Sequence, residues 1–497
     1  LTARGVIQQV FPIHEQRILS RLMRSWVQAI CEKQPLDEIC DYFGVKVAMY
    51  FSWMGFYTSS LVYPAVFGMM LWMITESDQT SRDICCVVFA LFNVVWATLF
   101  LEGWKRRGAE LAYKWGTLDT PAEFIEEPRP QFRGVKRISP VTNCEEFYYP
   151  PWKRLLFQSF VSLPVCVSCL CFVFVVMLAC FELQEFILSI KELPRVVRFF
   201  PKILLAVIVS SCDEVYRKIA YWLNDMENYR LQSAYEKHLI IKIVLFQFVN
   251  SYLSLFYIGF YLKDMERLKE MLATLLVIRQ FLQNVKEVSQ PHLYQKLQRG
   301  EVTMQIQYYL YLYVLFNAKL CQKEIQMYED TFNDYQEMFV QFGYVVLFSS
   351  AFPLAAVCAL INNIIEIRSD AFKLCTGLQR PFGRRVDGIG QWQNVMEAMG
   401  VIAIIVNCYL MGQCGQLQRL LPWLGPETTI IFIVVLEHFA LLLKYIIHVV
   451  IPDIPGWVAE EMAKLEYQRR EAFKIQIIVP VLGHECSQYK WSVPEAI

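Results

Sequence analysis

The 497-residue chain lacks net charge: 47 Lys and Arg balance 47 Asp and Glu. It therefore has no bulk attraction for nucleic acid. Charge is also missing locally. Val47–Thr75 carries none over 29 residues, Ile84–Leu101 none over 18, Leu155–Phe181 none over 27, Ile243–Leu262 none over 20 and Ala398–Gln418 none over 21. About 20 helical residues cross a hydrocarbon layer ~30 Å thick. One such run could be a buried core helix. Five exclude a soluble fold, because only helices and closed barrels satisfy the backbone in lipid. Enzyme signatures are missing too: there is no P-loop, dinucleotide-binding motif or nucleophile–base pattern. No secretory leader is read at the start, where the first residue is Leu, and no repeat or low-complexity tract stands out. Cysteine is not scarce. Sixteen are scattered, and Cys166, Cys169 and Cys171 sit inside an apolar run, as small packing residues do. The Cys166-x-x-Cys169 pair has no second Cys or His pair to complete a zinc or redox site.

What is present reads as about ten spans. A soluble lead-in, with an amphipathic helix around His14–Ile30, precedes spans at 47–74, 84–103, 155–181, 200–223 and 241–262. A partly apolar helix covers 265–288, and a connector with an aromatic patch covers 289–333. Met338–Ile365 is charge-free for 28 residues but broken by Ala351-Phe352-Pro353. Proline removes a backbone donor and disfavours helix in the residue before it, so this run folds into two antiparallel helices. Spans at 394–413 and 428–451 follow, then a charged tail helix over 454–475. The polar segment 104–154 carries ten Lys and Arg against one in the 76–83 loop, which places it and both termini in the cytosol. Lys191, Arg195 and Arg198 run against that rule. The organisation expected is residues 1–45 as the end of an N-terminal cytosolic region, 46–453 as the transmembrane domain and 454–497 as a cytosolic helix and tail.

Carboxylates sit where a membrane protein should avoid them. Glu337 lies 16 residues before Pro353 and Glu366 lies 13 after it. At ~1.5 Å per residue they are about 24 and 20 Å from the turn, hence at similar depth. Asp334 and Glu337 are three apart, Glu366 and Asp370 four apart, so each pair shares a helix face, with Asn362 on the second. Gln283 and Glu287, also four apart, lie near the same end of the preceding helix. Two unit charges ~5 Å apart at an effective dielectric of ~20 repel by roughly 3 kcal/mol. Protonation, pairing with Lys or Arg, or a bound cation would relieve this. The donors are oxygens without His or Cys, which disfavours zinc and di-iron and suits calcium. The bland alternative is a polar helix end facing headgroups, with Arg368, Lys286 and Lys373 as partners. A proton relay is a further alternative.

At these residues the chain resembles the anoctamin (transmembrane protein sixteen) family, most of all the branch of anoctamins eight and ten. The resemblance runs through YFGVKVAMYFSWMGFYT (42–58), EGWKRRGAELAYKWGT (102–117), EEPRPQFRG (126–134), FVNSYLSLFYIGFY (248–261), DYQEMFVQFGYVVLF (334–348), NNIIEIRSDAFK (362–373) and IPDIPGWVAEEMAKLEYQRREAFK (451–474). It implies an all-α polytopic fold of ten transmembrane helices in a homodimer. It also implies two Ca2+ per subunit between helices six, seven and eight, held by Gln283, Glu287, Asp334, Glu337, Glu366 and Asp370. A third calcium would fall between helices two and ten, at Glu102 and Asp453. Gln283 replaces the family's usual Asn. Residues 265–288 contain no Gly, so a glycine hinge of some relatives is missing. The family's large N-terminal domain is represented by its last stretch alone.

The expected function is a calcium-activated phospholipid scramblase, with membrane lipids as partners. Asp213, Glu214 and Lys218 on span four and Asn250 and Ser251 on span five are candidates to line its groove, since charges within a span are costly unless they face water or one another. An intramembrane ion-pair ladder is the bland account of Asp213–Lys218. A calcium-activated chloride channel and a tether between endoplasmic reticulum and plasma membrane are the alternatives, with either membrane or their contact sites as the location. The basic tail KLEYQRREAFK could meet anionic lipid, or be a solvated helix face.

Overall fold

The computed structural model describes residues 12–29, 32–74, 79–118, 128–140, 143–189, 195–279, 331–376, 378–413 and 419–488 apart from 421, 422 and 424. The chain is mostly helical. Before the first long helix lie α1 (Gln16–Leu22), continued by a wide π turn over Met23–Val27, and α2 (Leu36–Phe43). The amphipathic helix expected at 14–30 is thus shorter and ends in the π turn. Gly44 then adopts a left-handed φ of 94°, which permits an immediate turn into α3 (Val45–Ile74).

Next come α4 (Gln79–Lys114), α5 (Pro151–Phe157) with a π turn over Gln158–Ser162, α6 (Leu163–Ser189), α7 (Arg195–Met226) and α8 (Gln232–Phe256) with a π turn over Tyr257–Leu262. Then follow α9 (Met265–Thr274) with a π turn over Leu275–Arg279, α10 (Phe332–Leu347), α11 (Ala355–Thr376), α12 (Gln391–Gln413), α13 (Pro426–Val450) and α14 (Gly456–Gln488). Among the described residues, six helices are long and apolar enough to cross a membrane: Val45–Ile74, Thr80–Lys114, Pro151–Ile187, Gln232–Leu262, Gln391–Gly412 and Glu427–Val450. The span expected around 200–223 lies within α7. The predicted break around Pro353 is present, with α10 ending at Leu347 and α11 starting at Ala355.

Helix α4 continues to Lys114, well past the span end expected at 103. Its polar extension is supported by Arg107–Glu110 at 2.8 Å and by Lys114 against Asp37 of α2 at 2.6 Å. The same polar segment contains an antiparallel hairpin, β1 (Val135–Ile138) and β2 (Glu145–Tyr148), paired Val135↔Tyr148 to Ile138↔Glu145.

The core is built on aromatic side chains of α3, α10 and the helices around them. Trp53, Tyr57, Phe339 and Phe342 are sealed from solvent. Two close approaches fix helix pairs. A Cβ at Gly68 of α3 would overlap the Pro353 carbonyl oxygen at the head of α11. A Cβ at Gly343 of α10 would overlap the Tyr252 hydroxyl of α8, which donates to the Val340 carbonyl at 3.0 Å. By contrast α13 turns a broad apolar face outward, with Ile431, Val435, Phe439, Tyr445 and Val449 each more than half exposed.

Candidate functional site

Helices α10 and α11 leave their shared turn antiparallel and carry their carboxylates to one end. Asp334 is 9% exposed, Glu366 2% and Asp370 1%; Glu337 is half-buried and Asn362 buried. The Lys373 ammonium lies between the helices, 3.0 Å from Asp334 Oδ1 and 2.9 Å from Asp370 Oδ1. The Tyr50 hydroxyl of α3 donates to Asp370 Oδ2 at 2.6 Å, and this tyrosine feels the charges of Asp370, Asp334 and Glu366 together. Three carboxylates from two helices therefore converge on one place. Gln283 and Glu287 lie outside the described residues.

Lys373 fulfils the bland alternative for two of the four described carboxylates. The Arg368 guanidinium donates to the backbone carbonyl of Trp26 in the N-terminal segment. That segment also grips the chain just beyond the helix. His14 Nε2 is 3.0 Å from the Leu378 carbonyl, and Arg380 donates to the Tyr42 carbonyl at 2.9 Å.

The residues fit a hard cation in donor type. Their donors are carboxylate oxygens, which calcium prefers, and two are almost fully desolvated. Buried carboxylates are costly unless compensated by positive charge, and a positive group already stands between Asp334 and Asp370. The described residues alone do not close a cage of three or more His, Cys, Asp or Glu ligands.

The second expected pair also converges. Lys105 of α4 lies 3.2 Å from Glu102, 2.9 Å from Glu397 of α12 and 3.8 Å from Asp453 beyond α13. His448 Nδ1 is 3.0 Å from Glu102 Oε1. Glu397 and His448 were not legible as members, since neither spacing nor composition ties them to Glu102. Lys105 was the available signal, one turn from Glu102 and of opposite charge.

The groove candidates divide. On α7, Asp213 pairs with Arg217 at 3.2 Å and Glu214 with Lys218 at 3.4 Å, the ladder of the bland account. Arg217 also donates to Asn333 Oδ1 at 2.9 Å, joining α7 to the start of α10. Asn250 and Ser251 are 2% and 3% exposed, and the Tyr344 hydroxyl of α10 reaches the Ser251 carbonyl. They line a helix–helix contact in this conformation.

Below α7 lies a polar knot that the sequence did not announce. Glu227 is fully buried and accepts from Lys242 at 2.8 Å, Ser162 at 2.6 Å, Gln158 at 3.2 Å and the Tyr229 hydroxyl. It ties α7 and α8 to the π turn before α6. Burial alone would push its carboxyl up; hydrogen bonds from Lys242, Ser162 and Tyr229 outweigh that and hold it below the usual carboxylate value.

The chain is similar to known proteins over most of its length. Residues 39–465 match the family model described as "Anoctamin: Calcium-activated chloride channel". Human anoctamin-8 is 53% identical over an alignment covering 95% of this chain and 56% of the relative. Mouse anoctamin-8 is 52% identical, with 95% and 64% covered. Mouse anoctamin-10 is 38% identical, covering 100% of this chain and 76% of the relative. The chain thus spans less than two thirds of the length of the anoctamin-8 proteins it matches. A family match over most of the chain, close relatives covering nearly all of it and several long apolar helices lead to one assignment: the chain belongs to the anoctamin family of membrane proteins.

Proposed function

We propose that this chain forms a calcium-activated phospholipid scramblase with ten spans, working as a homodimer in the endoplasmic reticulum or plasma membrane. The observation that carries the reading is the convergence of Asp334 of α10 with Glu366 and Asp370 of α11 around Tyr50. Asp334, Glu337, Glu366 and Asp370 would hold the ion, joined by Gln283 and Glu287 from the sixth helix. Bound calcium supplies the double positive charge that such a carboxylate set otherwise lacks.

Without it, Lys373 shares its single positive charge between one carboxylate on each helix. Glu366, itself 2% exposed, adds negative charge to the same pocket and biases it toward any cation of higher charge. Lys373 is held by ion pairs on a side chain that is 15% exposed, so it can swing outward when the carboxylates find another partner. Arg217 keeps α7 against the start of α10 through Asn333, and this contact closes the foot of the candidate groove. The paired charges of Asp213, Glu214 and Lys218 then give a polar track on an otherwise apolar helix. A headgroup sliding there leaves its tails in the bilayer, downhill and without ATP.

The apolar outward face of α13 supports the homodimer. A second reading, an anion channel, is favoured by the printed description of the family and by Arg217 and Lys218 on α7. Proteoliposomes with fluorescent lipid separate the two. Calcium-stimulated loss of leaflet asymmetry supports scrambling. Anion flux without lipid movement supports the channel. Neither, from folded protein, removes both and leaves a tether.

A further inference from the structure

We propose a binding site for a phosphate-bearing ligand at the end of the bundle opposite the carboxylates, a site distinct from the transport groove and independent of the transport reading. A cavity of about 530 Å3 opens there beside the Pro353 turn. Pro353 and Asp370 are 17 residues apart, ~25 Å along α11, so the cavity and the carboxylates do not share ligands. On the positive-inside reading this is the lumenal or extracellular end.

Four cationic side chains line it: Arg82 of α4, Lys263 in the α8–α9 connection, Lys269 of α9 and Arg419. Arg419 is committed, forking onto buried Asp83 at 2.6 and 3.0 Å. Asp264 is engaged by its own helix, accepting from the Arg267 amide at 3.1 Å. Arg82, Lys263 and Lys269 make no ion pair among the described residues, and Glu266 is the one remaining acid of the lining. The cavity is therefore net positive.

Lys263 carries a second signal. It sits in the left-handed region at φ 56°, ψ 30°. A long β-carbon side chain pays a steric penalty there that Gly or Asn largely avoids. Strained backbone of this kind concentrates at ligand-binding positions, and here it brings a lysine to the cavity wall. The lining also includes the apolar side chains of Leu71, Trp72, Phe352 and Leu354. Trp72 is half exposed, as an aromatic at a membrane–water boundary is. The volume lies within the range of small-ligand pockets. A lining of both cations and hydrocarbon suits a phosphate oxyanion attached to a glycerol and its chains.

The test uses the full chain, purified in detergent with chelator present. Short-chain phosphatidylglycerol is titrated by calorimetry, with inorganic phosphate as competitor. The variants are K263N, which keeps a residue tolerant of left-handed backbone, and R82Q, at an exposed side chain without an ion pair. Each must retain the parent's elution volume and melting temperature. Saturable lipid binding, weakened about tenfold in each variant and unaffected by inorganic phosphate, assigns the cavity to a phospholipid headgroup. Competition by inorganic phosphate with the same dependence on Lys263 and Arg82 keeps the site and makes free phosphate its ligand. Absence of saturable binding, or equal binding by parent, K263N and R82Q, overturns the proposal.

Discussion

Lys373 Nζ stands 3.0 Å from Asp334 Oδ1, joining two helices through residues 39 positions apart. A resident ammonium competes with any external cation for the same oxygens. The K373Q variant should therefore need less calcium for half-maximal activity, by about tenfold, equivalent to ~1.4 kcal/mol. In chelator it should melt lower than the parent, because Asp334 and Asp370 lose their counter-charge. Calcium titrations of lipid flux and of melting temperature check both; unchanged calcium dependence would make Lys373 a purely structural tie.

The carboxylates should behave in the opposite sense. D334N or E366Q removes one anionic donor and should raise the calcium required for activity by about tenfold or more. Lipid or anion flux measured over a calcium series decides this. Equal sensitivity in parent and variants discredits the site.

How far these groups were legible depends on what kind of contact carries them. Asp334, Glu337, Glu366 and Asp370 stand out because charge is rare in their surroundings and Pro353 fixes the fold-back. Tyr50 does not, since an aromatic inside an apolar run looks like any lipid-facing or core residue. Its role follows from the register of α3 on α11, set by the close approach of Gly68 to Pro353 and invisible to local spacing. The length of α4 was hidden for another reason. Hydropathy marks the part of a helix that lies in lipid, whereas its extension to Lys114 depends on Arg107–Glu110 and on Asp37 of a separate helix.

Arg217 predicts a leak. Its hydrogen bond to Asn333 Oδ1 at 2.9 Å joins α7 to α10. R217Q should raise calcium-independent lipid transfer severalfold while leaving calcium affinity near that of the parent. Reconstituted flux in chelator measures the first and the calcium series the second.

Glu227 makes a pH-dependent contribution to stability. Its folded-state titration lies below the unfolded value, so its stabilisation is complete above the ordinary Glu pKa of about 4.3 and is lost as pH falls through the lower folded value. E227Q leaves Lys242 without its anion and should cost roughly 3–5 kcal/mol near neutral pH. Melting curves of parent and variant should converge once pH falls below the folded-state titration of Glu227. A gap independent of pH would mean that packing, not charge, is what the substitution removes.

Gly343 offers a test of packing alone. A methyl group there meets the Tyr252 hydroxyl and must displace it from the Val340 carbonyl. G343A should destabilise by about 1–3 kcal/mol, seen as a lower melting temperature with calcium dependence retained.

The grip of residues 12–43 on α11 has a mechanical meaning. Arg368 lies between Glu366 and Asp370, and its anchor is the main chain of Trp26, while His14 and Tyr42 hold the strand that leaves α11. The stretch before the first bilayer crossing is thus a handle fastened to the rod that bears two of the acidic groups. A force applied to that handle, by whatever precedes it in a longer chain, is delivered to Glu366 and Asp370 without passing through the lipid-facing helices.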